Sequence, residues 1–178
     1  GLDEVAVLLH PNPDPDAIAA AFGLCRIAET VGVDADPCYY GSISHQENRA
    51  LVNLLDLDLR NLEEPSDVET YAGVALVDHS RPGVNDGLPA GMAIDVVVDH
   101  HPPRAPVEAR FVDLRSEVGA TSTLVADYFE RFGIDLDRRV ATALLYGIRV
   151  DTRDFTREVS DADFEAAVND YEPRHVGT

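Results

Sequence analysis

Three short apolar runs constrain this chain most: Val5–Leu9, Val74–Val77 and Ile94–Val98. Each is rich in β-branched residues and almost unbroken by polar ones. A strand with one wet face alternates apolar and polar residues, so such runs predict strands covered on both faces, as in a parallel sheet. Helical patterns lie between and after them: Ala17–Val31, His45–Asp56, Thr121–Phe132, Arg138–Val150 and the weaker Asp161–Tyr171. Asp16 is a plausible N-cap for the first. The Gly- and Pro-rich stretch Arg81–Met92 reads as an irregular loop. Strands alternating with helices give an α/β fold, a mostly parallel sheet flanked by helices.

All three runs end in the same chemistry. The first runs into His10, Asp14 and Asp16, the second into Asp78 and His79, and the third into Asp99, His100 and His101. In open α/β sheets, sites form beyond the carboxyl ends of the strands. One aspartate there is ordinarily a turn residue or a helix cap, but three clusters on three strands are poorly explained as caps. A further acid, Asp151, follows the apolar run ATALLYGIRV. Asp14, Asp16, Asp78 and Asp151 at one edge would repel strongly, so either their pKa values rise or cations fill the site. Two divalent cations balance four carboxylates, with neutral His10 and His100 as further ligands. Histidine and carboxylate without thiolate suit Mn²⁺ or Mg²⁺ better than structural zinc. A two-metal centre of this kind suits in-line attack on phosphorus.

The charge balance narrows the partners. The 178 residues fit one domain or a domain with a small appendage. They include 33 Asp and Glu against 14 basic residues, all arginine, for a formal charge of −19. The acids form no block or tail, which favours a salt-adapted, halophilic surface over an acidic face for a basic partner. A circular-dichroism titration checks this: folding is expected to need added salt, and full structure without it counts against the reading. Such a surface repels duplex nucleic acid, so a phosphate substrate would be small or met by metal ions. No apolar run approaches the length of a membrane span. Cys25 and Cys38 lack a paired spacing and read as reduced core thiols in a cytoplasmic protein. The start at Gly1, without a signal-peptide pattern, is compatible with a segment of a longer protein.

Taken together, HPNPDPDAIAAAFGL, LVDHSRPG, VVVDHHPP, VGATSTLVADYF and LLYGIRVDTRDF resemble the successive motifs of the DHH phosphoesterases. That family includes RecJ-like exonucleases, nanoRNase-type oligoribonucleases, cyclic-dinucleotide phosphodiesterases and family II inorganic pyrophosphatases. The resemblance runs from about His10 to about Phe155. It implies a DHH catalytic domain over residues 1–157. Residues 158–178 would be a C-terminal helix or linker toward a second, substrate-binding domain whose glycine- and histidine-rich motif this chain lacks.

Carried over by position, the resemblance makes His10 and Asp14 ligands of a first Mn²⁺ and Asp16, His100 and Asp151 ligands of a second, with Asp78 bridging them. His101 would contact the scissile phosphate or help the leaving group, and Asp99 would orient the neighbouring histidines. Arg81 is either a phosphate contact or an ordinary loop arginine. Gly119–Thr123 (GATST) would cap a helix or present N–H groups to an anion. The implied activity is hydrolysis of phosphodiester bonds in small nucleotides or short oligonucleotides by a metal-bridged hydroxide. The segment DTRDFTREVSDADF looks more like the oligonucleotide branch, while HPNPDPDAI fits the pyrophosphatases as well. A pyrophosphatase and a non-catalytic nucleotide-sensing module are the alternatives, and further domains or a homo-oligomer are compatible with each.

Overall fold

The computed structural model describes residues 3–84 and 86–171. In chain order the elements are β1 (Glu4–Leu8), α1 (Pro15–Thr30), β2 (Asp34–Tyr40), α2 (Gln46–Leu54), β3 (Arg60–Leu62), a 3₁₀ helix (Pro65–Thr70) and β4 (Gly73–Val77). They continue with β5 (Val96–Asp99), β6 (Phe111–Leu114), α3 (Thr121–Arg131), α4 (Arg138–Asp151) and α5 (Asp161–Tyr171). The expected irregular stretch 81–92 contains neither helix nor strand among its described residues. No helix among the described residues is long and apolar enough to cross a membrane.

The six strands form one sheet in the order β3-β2-β1-β4-β5-β6, and every pairing is parallel. Both faces of the central strands are covered, which is why their sequences are continuously apolar. Val7 and Leu9 of the first run, with Ala75 and Val77 of β4, pack under the helices with Ile18, Leu144 and Ile148. Ala6, Leu8, Val74 and Leu76 face the other way, against Val68 of the 3₁₀ helix and Leu88 and Ile94 of the long loop. The strand order reverses between β1 and β4, opening a crevice at their carboxyl ends.

Helix α1 is the axle of the helical layer. Its first two turns, Pro15–Ala21, are wholly buried, and their alanines let α3 and α4 approach closely. The tightest approach is at Gly147 of α4. A Cβ there would lie 2.5 Å from Ser122 Oγ and 3.1 Å from Asp16 Cα. The glycine thus sets the distance at which α4 passes Asp16.

One expectation is corrected. Asp14, not Asp16, caps α1: its side chain accepts a hydrogen bond from Ala17 N at 2.9 Å, with Pro15 in the first turn. Asp16 lies in the first turn, and its carboxylate reaches to another helix. Three strands were not read from the sequence. β2 (DADPCYY) carries two acids and a proline, although Cys38 and Tyr40 are buried; Pro37 falls outside the three-residue pairing with β3. β3 has only three residues, and β6 is a half-exposed edge strand.

Candidate metal centre

The crevice between β1 and β4 collects the predicted side chains. After β1 the chain turns sharply through Asn12, whose φ is +52°. Asn12 Oδ1 accepts from Ser44 N and Ser44 Oγ at 2.9 and 3.0 Å, and Asn48 Nδ2 donates to Pro13 O at 3.0 Å. These bonds pin the loop that carries His10 and Asp14. After β4, Asp78 adopts a left-handed backbone, φ +61°, where its N–H still donates to Val98 O of β5. A left-handed backbone is uncommon outside glycine, aspartate being one of the types that adopt it, and here it turns the side chain into the crevice.

Asp78 stands at the centre. Its Oδ2 is 3.5 Å from His10 Nε2, and its Oδ1 is 3.5 Å from His100 Nε2. Thr121 Oγ1 donates to the same Oδ1 at 2.8 Å. His100 Nε2 is also 3.0 Å from Asp151 Oδ2 and 3.7 Å from Asp16 Oδ2. Three groupings result among the described residues, each with its ligand atoms within 4.8 Å of one another: His10, Asp14 and Asp78; Asp16, Asp78, His100 and Asp151; and, toward the mouth, Asp78, His100 and His101. Asp78 belongs to all three.

Asp16 is fully buried and crosses to another helix. Its oxygens accept from Thr121 N at 2.9 Å and Ser122 N at 2.8 Å, so it caps α3, whose own N-cap residue is Ala120. The GATST segment therefore does present N–H groups to anions, but the anions are the protein's own carboxylates. Gly119 N likewise donates to Asp163 of α5 at 2.9 Å. A Cβ on Gly119 would lie 2.6 Å from Thr152 Cγ2 and 2.7 Å from Glu158 O, so the residue must be small. Thr121 and Asp163 carried no sequence signal of their own. A threonine at a helix start and an acid on a weak helix are too common to single out.

Without cations this cluster is electrostatically unfavourable, and the protonation states show it. Burial pushes the Asp16 carboxyl up to about 7, with Asp151 and Asp14 adding to the effect. Asp78 is raised well above the usual carboxylate range, by burial and then by Asp16, Asp14 and Asp151. At His100 burial opposes the charged form, but the surrounding carboxylates prevail and carry it to about 9.

The fit to a cation rests on one buried atom. His100 Nδ1 faces Val118 O at 3.3 Å, which directs Nε2 at the carboxylates; there it holds a proton in the metal-free fold and would offer its lone pair once a cation displaced that proton. Nε2 is buried, makes no regular hydrogen bond, and lies 3.0 Å from Asp151 Oδ2 in an ion-pair approach. An imidazole nitrogen set among three carboxylates, once deprotonated, suits a hard or borderline divalent cation.

His101 lies at the mouth, its side chain 55% exposed and its Nδ1 3.9 Å from Asp78 Oδ1. Asp99 Oδ1 accepts from His101 N at 3.1 Å and faces Nδ1 at 2.7 Å, which orients the ring and raises its pKa. Asp99 thus engages His101, whereas the His100 ring is set by Val118 O. Arg81 is exposed on the long loop and makes no ion pair among the described residues. Cys25 and Cys38 are buried and unpaired.

Fold and site together define a parallel α/β domain with a His–carboxylate nest, fit for divalent cations, at its switch point. The chain belongs to the DHH family: it matches the family's N-terminal domain over residues 4–148. It is 44% identical over 162 residues to an uncharacterized protein of Methanocaldococcus jannaschii, covering 90% of this chain and 33% of that protein. It is 30% identical over 156 residues to a "Probable manganese-dependent inorganic pyrophosphatase" of Bacillus cereus, covering 85% of this chain and 48% of that protein. The chain thus spans half or less of the length of these curated relatives. An exopolyphosphatase-related protein from Bacteroides fragilis shares the fold, with a TM-score of 0.71 at 18% identity, covering 94% of this chain and 52% of that one.

Proposed function

We propose that this chain is the catalytic domain of a metal-dependent phosphoesterase that hydrolyses phosphodiester bonds of small nucleotides or short oligonucleotides. The observation that carries the reading is the buried Nε2 of His100 among Asp16, Asp78 and Asp151. His10, Asp14 and Asp78 would hold one Mn²⁺, and Asp16, Asp78, His100 and Asp151 a second. Bound there, the pair supplies an activated water and neutralises charge on the phosphoryl oxygens. The chain's own part is positional. Thr121 holds Asp78 between the two ligand sets, and Val118 O fixes the direction of His100 Nε2. Asp99 keeps His101 oriented and favours its protonated form, so that it would meet a phosphate oxygen or hand a proton to the leaving group. Residues 1–157 would form this domain, with the helix beyond leading toward substrate-binding structure.

The Bacillus cereus relative favours a second reading, in which the substrate is inorganic pyrophosphate. A panel with Mn²⁺ separates the two: a dinucleotide, a cyclic dinucleotide, 3′-phosphoadenosine 5′-phosphate and pyrophosphate. Cleavage of the dinucleotide or the cyclic dinucleotide is expected, while 3′-phosphoadenosine 5′-phosphate, which has only phosphomonoester bonds, is the monoester control. Rapid phosphate release from pyrophosphate alone overturns the phosphodiester reading. Binding of nucleotide without turnover by this chain and by Asp78→Ala alike would make it a sensing module.

A further inference from the structure

The long loop after β4 carries one wholly buried acid, Asp86. Its Oδ1 accepts hydrogen bonds from Gly83 N at 2.9 Å and Leu88 N at 3.0 Å, which closes the loop on itself. Its Oδ2 takes no part in that closure. It is directed at His79, whose Nε2 lies 3.4 Å away, and neither buried atom has another partner. His79 follows the left-handed Asp78 directly in the chain. Its Nδ1 faces Val77 O at 2.9 Å, back across that residue, and its ring stands edge-on to His10 with centroids 6.3 Å apart. One imidazole thus touches both sides of the first ligand set: the backbone that aims Asp78 and the ring of His10.

A buried carboxylate that only closed a loop would need one oxygen. Leaving the second buried and unshared is costly unless something uses it. We propose that Asp86 is a positioning residue for the His10–Asp14–Asp78 cation site, acting through His79. The proposal rests on the metal-centre reading above. Asp86 holds the His79 ring; the ring restrains the Val77–Asp78 backbone in its left-handed turn and limits the rotation of His10. The Asp86 end of the loop, which carries no ligand itself, thereby sets the spacing of two ligands. Outer partners of this kind typically change metal affinity by about 10- to 100-fold when removed.

A double-mutant cycle read as Mn²⁺ affinity tests this, by calorimetric titration and by the electron-paramagnetic signal of free Mn²⁺. Asp86→Ala and His79→Ala are each expected to weaken binding at the tighter-affected site by about tenfold or more. The double variant is expected to be no worse than the weaker-binding single, because both changes cut the same path. Asp86→Asn keeps an acceptor for the two loop amides, and it replaces Asp86→Ala in the cycle if the alanine variant does not fold. A lower metal-free melting temperature with unchanged Mn²⁺ affinity makes Asp86 a loop anchor only and overturns the proposal. Additive losses in the double variant also overturn it. If the unaltered chain binds no Mn²⁺, the metal-centre reading itself falls.

Discussion

Asp78→Asn is expected to lower hydrolysis of the substrate found in the panel by about 10³-fold or more while leaving the fold intact. The loss follows from the position of the side chain, which is the one carboxylate shared by all three ligand groupings. Removing its charge weakens both cation sites, and a single lost charge-stabilising contact at a reacting centre already costs about 10²–10³ in rate. Asparagine is the right probe because it tolerates the left-handed backbone at φ +61°. Its carbonyl oxygen still accepts the Thr121 hydroxyl. The metal-free variant should melt no lower than the unaltered chain, since the buried Asp78 carboxyl is held well above its usual range and already resists ionising. Full activity in a folded Asp78→Asn would remove this residue from the mechanism.

The second large effect is a crossing of stability with pH and metal. Asp16 ionises near 7 in the fold against 3.8 outside it, and His100 near 9 against 6.5. In both cases the folded chain holds its proton more tightly than the unfolded chain. Stability from these groups is therefore full below their unfolded values and is lost as pH rises through the folded ones. The metal-free protein should lose melting temperature from about pH 4 to pH 9. Divalent cations displace the same protons, so their affinity rises over that range. At a hundredfold excess over Kd, each site adds about 2.7 kcal/mol, so two sites raise the melting temperature by roughly 10–20 °C. Melting curves at pH 5, 7 and 9, with and without Mn²⁺, read the crossing directly. A metal-free curve that rises with pH, or no Mn²⁺ effect at pH 9, contradicts it.

Much of this was legible in the residues. Both-face burial gave β1, β4 and β5 their unbroken apolar runs, and the polar residues at their ends lie on the same sheet edge, at the switch point. What stayed hidden depended on partners far away in sequence. β2 carries no clear strand signal because Asp34, Asp36 and Pro37 accompany its two buried residues. Asp16 looked like a cap for the helix that follows it, and it does cap a helix, but that helix is α3, 105 residues further on. No local pattern encodes such a bond. The same is true of Asp163, which reaches Gly119 and Thr123, and of Asp86, whose signal was only a Gly–Pro loop.

In the proposed mechanism two cations would share Asp78. Crystals grown with Mn²⁺ and measured at its absorption edge locate them without reference to activity. Two anomalous peaks are predicted, roughly 3.5–4 Å apart, one among His10, Asp14 and Asp78 and the other among Asp16, Asp78, His100 and Asp151. Density that leaves His100 Nε2 without a cation, or peaks elsewhere on the acidic surface, would contradict it.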